Sequence, residues 1–102
     1  CTGGILSLST DTAAVPAAAL VKMINGVTYL FLQPLRVGSA TLTSALYGLS
    51  GKTATVVYDT NSQYDPAHDS TGSTFTLDGS GQFSDTLGSN SDDYQVKIYT
   101  IQ

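Results

Sequence analysis

Apolar and polar residues alternate in short runs along this chain, and turn residues break every run. "GILSLST" sets Ile5 and Ser7 against Leu6 and Leu8, which predicts a first short strand. In "DTAAVPAAALVKMI", Pro16 forbids a regular helix through the middle. The "AAALVKM" portion has helical propensity of its own. The next residues, however, are Asn25 and Gly26, a two-residue hairpin signal in which both positions tolerate positive φ. A hairpin needs a strand on each side, so a strand is expected from Ala18 to Ile24. Its partner, "VTYLFLQ", is apolar on both faces, with Val27, Tyr29 and Phe31 opposed to Leu30 and Leu32. That pattern predicts a central strand covered on both sides, with a neighbouring domain as one source of cover. Pro34 ends it.

The alternation continues to the last residue. "GSATLTSALYG" places Ala40, Leu42 and Leu46 inward and Thr41 and Thr43 outward. "KTATVVYD" reads as another strand. "STFTLD", with Phe75 and Leu77 on one face, is expected to pair through the turn "GSG" with "QFSDTL". "YQVKIYTI" sets Tyr94, Val96 and Ile98 on one face, read as core together with Phe83, and Lys97, Tyr99 and Ile101 on the other. Tyr29 and Tyr94 also read as core. No segment predicts an amphipathic helix beyond one or two turns. The expectation is an all-β antiparallel sandwich, immunoglobulin-like or jelly-roll-like, of seven to eight strands. One long loop, "DTNSQYDPAHDSTG", runs from Asp59 to Gly72, and loops of that length are often functional.

Composition narrows the function classes. The chain has 102 residues, enough for one domain. Charged residues are only 12%, about half the usual share, and Thr, Ser and Gly take their place. This mix suits an extracellular, secreted β-protein. Lys22, Arg36, Lys52 and Lys97 are the only cations, and they are scattered. Nucleic acid and anionic membrane surfaces both call for clustered cations, so neither is an expected partner. No apolar run approaches the ~18 residues of a membrane span. Cys1 is the only cysteine, so an intramolecular disulfide cannot form. With no initiator Met, the chain is expected to be a mature or excised piece of a larger protein.

Catalytic chemistry finds little support. A Ser-His-Asp set can be assembled from Ser62, His68 and Asp65, but three residues so close within one loop lack the rigid support a triad needs. All eight acids are Asp, placed mostly in turns, which disfavours a facing carboxylate pair. A hard cation such as calcium would find oxygens at Asp59, Asn61, Asp65 and Asp69, and in a second loop at Asn90, Asp92 and Asp93. Neither loop has EF-hand spacing, and Asp and Asn are common turn residues in any case. Sugar binding needs aromatic rings to stack on pyranose faces. There is no Trp, but there are six Tyr. Tyr47, Tyr58 and Tyr64 lie in or beside turns and form the candidate platform, with Asp59, Asn61 and His68 as hydrogen-bonding partners.

Three segments carry a family resemblance. "NGVTYLFLQPL", "SATLTSALYGLSGKTATVVYD" and "GQFSDTLGSNSDDYQVKIYTI" resemble the carboxy-terminal β-sandwich that follows the catalytic barrel in many glycoside hydrolases. Gly26, Tyr29 and Phe31 match the first motif. Leu46, Gly48, Leu49, Gly51 and Val56 match the second. Gly81, Phe83, Asp85, Tyr94, Val96, Ile98 and Tyr99 match the third. The likeness spans about Ala18 to Gln102 and rests on core and turn positions. Two departures stand out: Asp59 opens a long loop where relatives often carry Glu or Arg, and "GSNSDD" replaces a short apolar approach to the last strand. The resemblance implies a non-catalytic accessory module, excised from the end of a larger secreted enzyme. Its expected partners are a plant-type polysaccharide and a linked catalytic domain. A purely structural role against the barrel, or a surface or filament subunit assembling by strand addition, are the alternative expectations.

Overall fold

The computed structural model describes residues 5–11, 15–36, 38–46, 48–88 and 95–102. Cys1, Tyr47, Tyr94 and the second acidic loop with Asn90, Asp92 and Asp93 lie outside the described residues. The chain is an antiparallel β-sandwich and not a closed barrel. In chain order the strands are β1 (Ile5–Thr10), β2 (Ala17–Ile24), β3 (Val27–Pro34), β4 (Ala40–Leu46), β5 (Thr53–Asp59), β6 (Thr74–Thr76), β7 (Gln82–Leu87) and β8 (Lys97–Ile101). One sheet has the order β1-β4-β7, the other β2-β3-β8-β5-β6. The long loop holds a one-turn helix, α1 (Asn61–Tyr64), and a 3-10 turn at Pro66–His68.

The Asn-Gly hairpin forms as its sequence dictates. Asn25 has φ 52° and Gly26 φ 79°, and Ile24 faces Val27 across the turn. Leu30 and Leu32 then point into the sandwich and are fully buried. From the other sheet Leu42, Leu46, Phe83 and Leu87 meet them, and Ala54, Val56, Tyr99 and Ile101 belong to the same core.

Three expectations are overturned. The turn "GSG" does not close a hairpin within one sheet. β6 pairs with β5, whereas β7 pairs with β4 in the facing sheet. The turn's bonds are local: Asp78 Oδ1 accepts the N–H groups of Ser80 and Gln82. Leu46 then donates its N–H to Gly81 O, drawing the chain onto the other sheet. This switch sets the Phe75 and Phe83 rings against each other from opposite sheets, with centroids 5.5 Å apart. Tyr99 meets Phe83 edge-on at 5.3 Å.

The last strand is also turned over. Lys97, Tyr99 and Ile101 face inward, and Val96 and Ile98 lie half-buried on the outer surface. Lys97 is only 2% exposed. Its ammonium donates to Asp85 Oδ2 at 2.8 Å and to Thr86 O at 3.2 Å. The Tyr99 hydroxyl donates to the same carboxylate oxygen at 2.6 Å. An inward Asp on β7 thus supplies the partner that lets a lysine stay inside. Tyr29 is likewise not core but half-buried on the outer face.

Candidate functional site

The two outer faces differ in chemistry. On the three-stranded sheet two outward pairs are hydroxyls that bond each other across β4 and β7. Thr41 Oγ1 lies 3.0 Å from Thr86 Oγ1, and Thr43 Oγ1 lies 2.8 Å from Ser84 Oγ. Such a face is at home in water. The outer face of the five-stranded sheet carries an apolar row as well.

Strand register builds that second face row by row. Leu20 pairs with Phe31, Phe31 with Ile98, and Ile98 with Tyr58, so one apolar row crosses β2, β3, β8 and β5. Leu20 is 53% exposed and Tyr58 41%. The β5–β8 register shifts between Val56 and Tyr58, and this irregularity places Tyr58 opposite Ile98. The neighbouring row is polar: Lys22 pairs with Tyr29, Tyr29 with Thr100, and Thr100 with Thr55. Phe31 and Tyr58 are two strands apart, a separation of about 10 Å. A shallow depression of about 240 Å³, lined by Ala18, Leu20, Phe31, Gln33 and Val96, opens beside the apolar row.

The long loop leaves from this end of the sheet. Thr60 N–H donates to Val96 O, and Val96 N–H donates to Thr60 Oγ1. Asp59 is fully buried and organises the loop from its first residue. Its Oδ1 accepts Asn61 N–H at 2.8 Å. Its Oδ2 accepts Ser70 N–H at 2.8 Å, Ser70 Oγ–H at 2.6 Å and Gln95 Nε2–H at 2.7 Å. Burial alone would raise this carboxyl, but the four donors outweigh burial and hold it below its ordinary value. Asn61, also buried, donates Nδ2–H to His68 O at 3.2 Å. Both ends of the loop are therefore tied to the interior.

These contacts sort the candidate residues. Tyr58 belongs to the apolar row. Tyr64 stands on the loop, 74% exposed. His68 Nδ1 lies 2.8 Å from Asp65 Oδ2 on the loop's surface. Asp59 and Asn61 face the interior and present no group to an external ligand, which corrects their expected role as sugar contacts. The Ser62–His68–Asp65 set is brought together only in its His68–Asp65 pair; no Ser62–His68 bond occurs among the described residues. The calcium ligands do not converge either. Asp59 is saturated by N–H and O–H donors, Asp65 faces His68, and Asp69 Oδ1 accepts Thr71 N–H and Oγ1–H. Among the described residues no three His, Cys, Asp or Glu side chains gather as a metal site. No helix among them is long and apolar enough to cross a membrane.

Sequence reasoning missed Phe31, Leu20 and Ile98 as surface residues. The two-faced pattern of "VTYLFLQ" was the available signal, since an apolar outer face reads the same as a buried one. No family model, no curated protein and no solved structure matches the chain.

Proposed function

We propose that the chain is a non-catalytic accessory module that holds polysaccharide for a linked glycoside hydrolase, and that the outer face of the five-stranded sheet is its binding surface. The single observation behind this reading is the row Leu20–Phe31–Ile98–Tyr58 beside the hydroxyl-bearing row of Tyr29, Thr100 and Thr55. Apolar rings suit the C–H faces of pyranose units, and hydroxyls alongside suit their rims. The spacing of Phe31 and Tyr58, about two strand widths, is comparable to the length of a disaccharide unit. Tyr64 and the His68–Asp65 pair sit on a loop already fixed by Asp59, so contacts there would order little further chain. Tethering a polymer raises its effective concentration at the linked catalytic domain.

Affinity electrophoresis through cellulose, xylan, mannan and β-glucan derivatives tests this. At least one polymer is expected to retard the chain, and the Tyr58→Ala variant is expected to migrate freely. Unchanged mobility of the wild-type chain in every polymer overturns the reading.

The exposed aliphatic side chains of Leu20 and Ile24 on the same face favour a second reading, in which this face packs on the neighbouring catalytic domain. Retardation by a polymer that Tyr58→Ala abolishes excludes that role for the face. A mobility that no polymer changes, together with strong binding of a hydrophobic dye that Tyr58→Ser weakens, supports it.

A further inference from the structure

Strand β2 forms one edge of the five-stranded sheet, and its outer side has no strand partner among the described residues. The hairpin register says which backbone groups face outward. A two-residue turn bonds the C=O of its first residue to the N–H of its fourth, here Ile24 and Val27. Bonded positions alternate along an antiparallel strand, so Ala18, Leu20, Lys22 and Ile24 spend their groups on β3. Leu35 N–H donating to Pro16 O at 2.7 Å continues the same parity. The N–H and C=O groups of Ala17, Ala19, Val21 and Met23 therefore point away from the sheet. The edge is eight residues long, and Lys22 is its only charge. Leu20, Met23 and Ile24 leave about half of their surface in water. Long apolar edges of this kind are templates for another strand, and natural proteins usually block them with charge, proline or a bulge.

The open positions are symmetric about Leu20. Turning β2 by a two-fold axis through Leu20 lays Ala17 against Met23 and Ala19 against Val21 of a second copy. Every open residue then meets an open residue, giving about eight main-chain bonds between the copies. The side chains agree with this register. Met23 falls opposite the small Ala17, Val21 opposite Ala19, and Lys22 opposite Ala18. Leu20 meets its own copy at a non-bonded pair, where side chains approach most closely. Moving the axis to Lys22 would set two lysines against each other. Moving it to Val21 would place Ala17 against Asn25, which lies in the turn at φ 52°.

We propose that the chain forms a closed dimer by antiparallel pairing of β2 with β2 of a second copy, with Leu20 on the two-fold axis. Such a contact uses the same patch on both copies, so it ends at two and does not grow into a filament. It joins the two five-stranded sheets edge to edge and places their outer faces side by side. The dimer stands independently of what that face binds. If the face holds polysaccharide, pairing doubles the contacts along a polymer.

The test runs in a Cys1→Ser background, so that only introduced thiols react. Sedimentation velocity over a concentration series is expected to show a monomer–dimer equilibrium. Under mild oxidation Leu20→Cys is expected to give a covalent dimer, since the Cα separation of a non-bonded pair, about 4.5 Å, suits a disulfide. Ala18→Cys is expected to give none, because Ala18 meets Lys22. Val21→Pro removes an outward N–H that no intrachain bond uses, and it is expected to sediment as a folded monomer. Leu20→Lys, at an exposed site, is expected to weaken the dimer at least tenfold, with partial recovery in high salt. A Cys1→Ser chain that stays monomeric at every concentration overturns the proposal. So does crosslinking of Ala18→Cys as readily as Leu20→Cys, or a dimer that Leu20→Lys leaves unchanged.

Discussion

Asp59 and Gln95 lie 36 residues apart, and the Gln95 amide donates to the buried Asp59 Oδ2 at 2.7 Å. Gln95 Oε1 in turn accepts the Gly88 N–H at 2.8 Å. One carboxylate therefore joins the end of β5, the far side of the long loop and the approach to β8. Asp59→Ala strands several buried donors at once. It is expected to cost roughly 3 kcal/mol or more of unfolding free energy in a denaturant titration. Asp59→Asn keeps one acceptor oxygen and is expected to cost less.

The same carboxylate sets a pH dependence. Its folded-state value is lowered, so its contribution is complete above the unfolded value of about 3.9. That contribution is lost as the pH falls further, through the folded value. The wild-type melting temperature is expected to drop below about pH 4, and Asp59→Asn is expected to show a shallower drop. Identical slopes for the two proteins would show that other carboxylates govern acid unfolding.

Lys97, Asp85 and Tyr99 form an inward cluster that spans the two sheets. Burial, with the Asp85 charge beside it, pushes the Tyr99 hydroxyl well above its ordinary value, so it stays protonated and donating. Lys97→Met leaves Asp85 without its cation and is expected to destabilise by about 3 kcal/mol. Tyr99→Phe is expected to cost about 1 kcal/mol. Combining Lys97→Met with Asp85→Leu is expected to recover much of the first loss, and a double-mutant cycle measures how much.

Gly81 sits at φ 73°, and a Cβ there would collide with Leu46 O. The obstacle is backbone in the strand that accepts the sheet switch, so it cannot swing away. Gly81→Ala is expected to destabilise by about 2 kcal/mol or more, whereas Gly79→Ala, which meets nothing within 4 Å, is expected to change little.

On the outer face, Tyr58→Ala and Phe31→Ala are each expected to weaken polysaccharide binding roughly tenfold or more, as loss of a ring anchor does. Tyr64→Ala is expected to have a smaller effect, since its ring stands apart from the row. Isothermal titration with oligosaccharides of increasing length checks the order. Loss at Tyr64 alone would move the binding surface to the loop.

The strands themselves were legible because alternation, Pro34 and Asn25-Gly26 act locally. Register across the first hairpin followed from its turn alone. Which face of a strand turns inward was not legible where both faces are apolar. In "YQVKIYTI" the alternation separates Val96 and Ile98 from Lys97, Tyr99 and Ile101, and a lysine on the second set argues for solvent. Asp85 reverses that choice, and it lies 12 residues away on a strand of the other sheet. The candidate site divides in the same way. Tyr58 and Tyr64 were visible as aromatics near a loop. Leu20 meets Phe31 through the local hairpin, but Ile98 and Tyr58 join them only through the β3–β8 and β8–β5 pairings, which no local pattern encodes.

Local patterning dictates an antiparallel β-protein, where most of its strands begin and end, and which residues can turn. These are properties of single residues and their near neighbours. Tertiary structure alone decided that β6 and β7 part to opposite sheets, that Asp59 and Asn61 are internal ties, and that Lys97 is buried. Each of those outcomes depends on a partner distant in the chain, because a buried polar group is tolerated only where another part of the fold brings it a hydrogen bond.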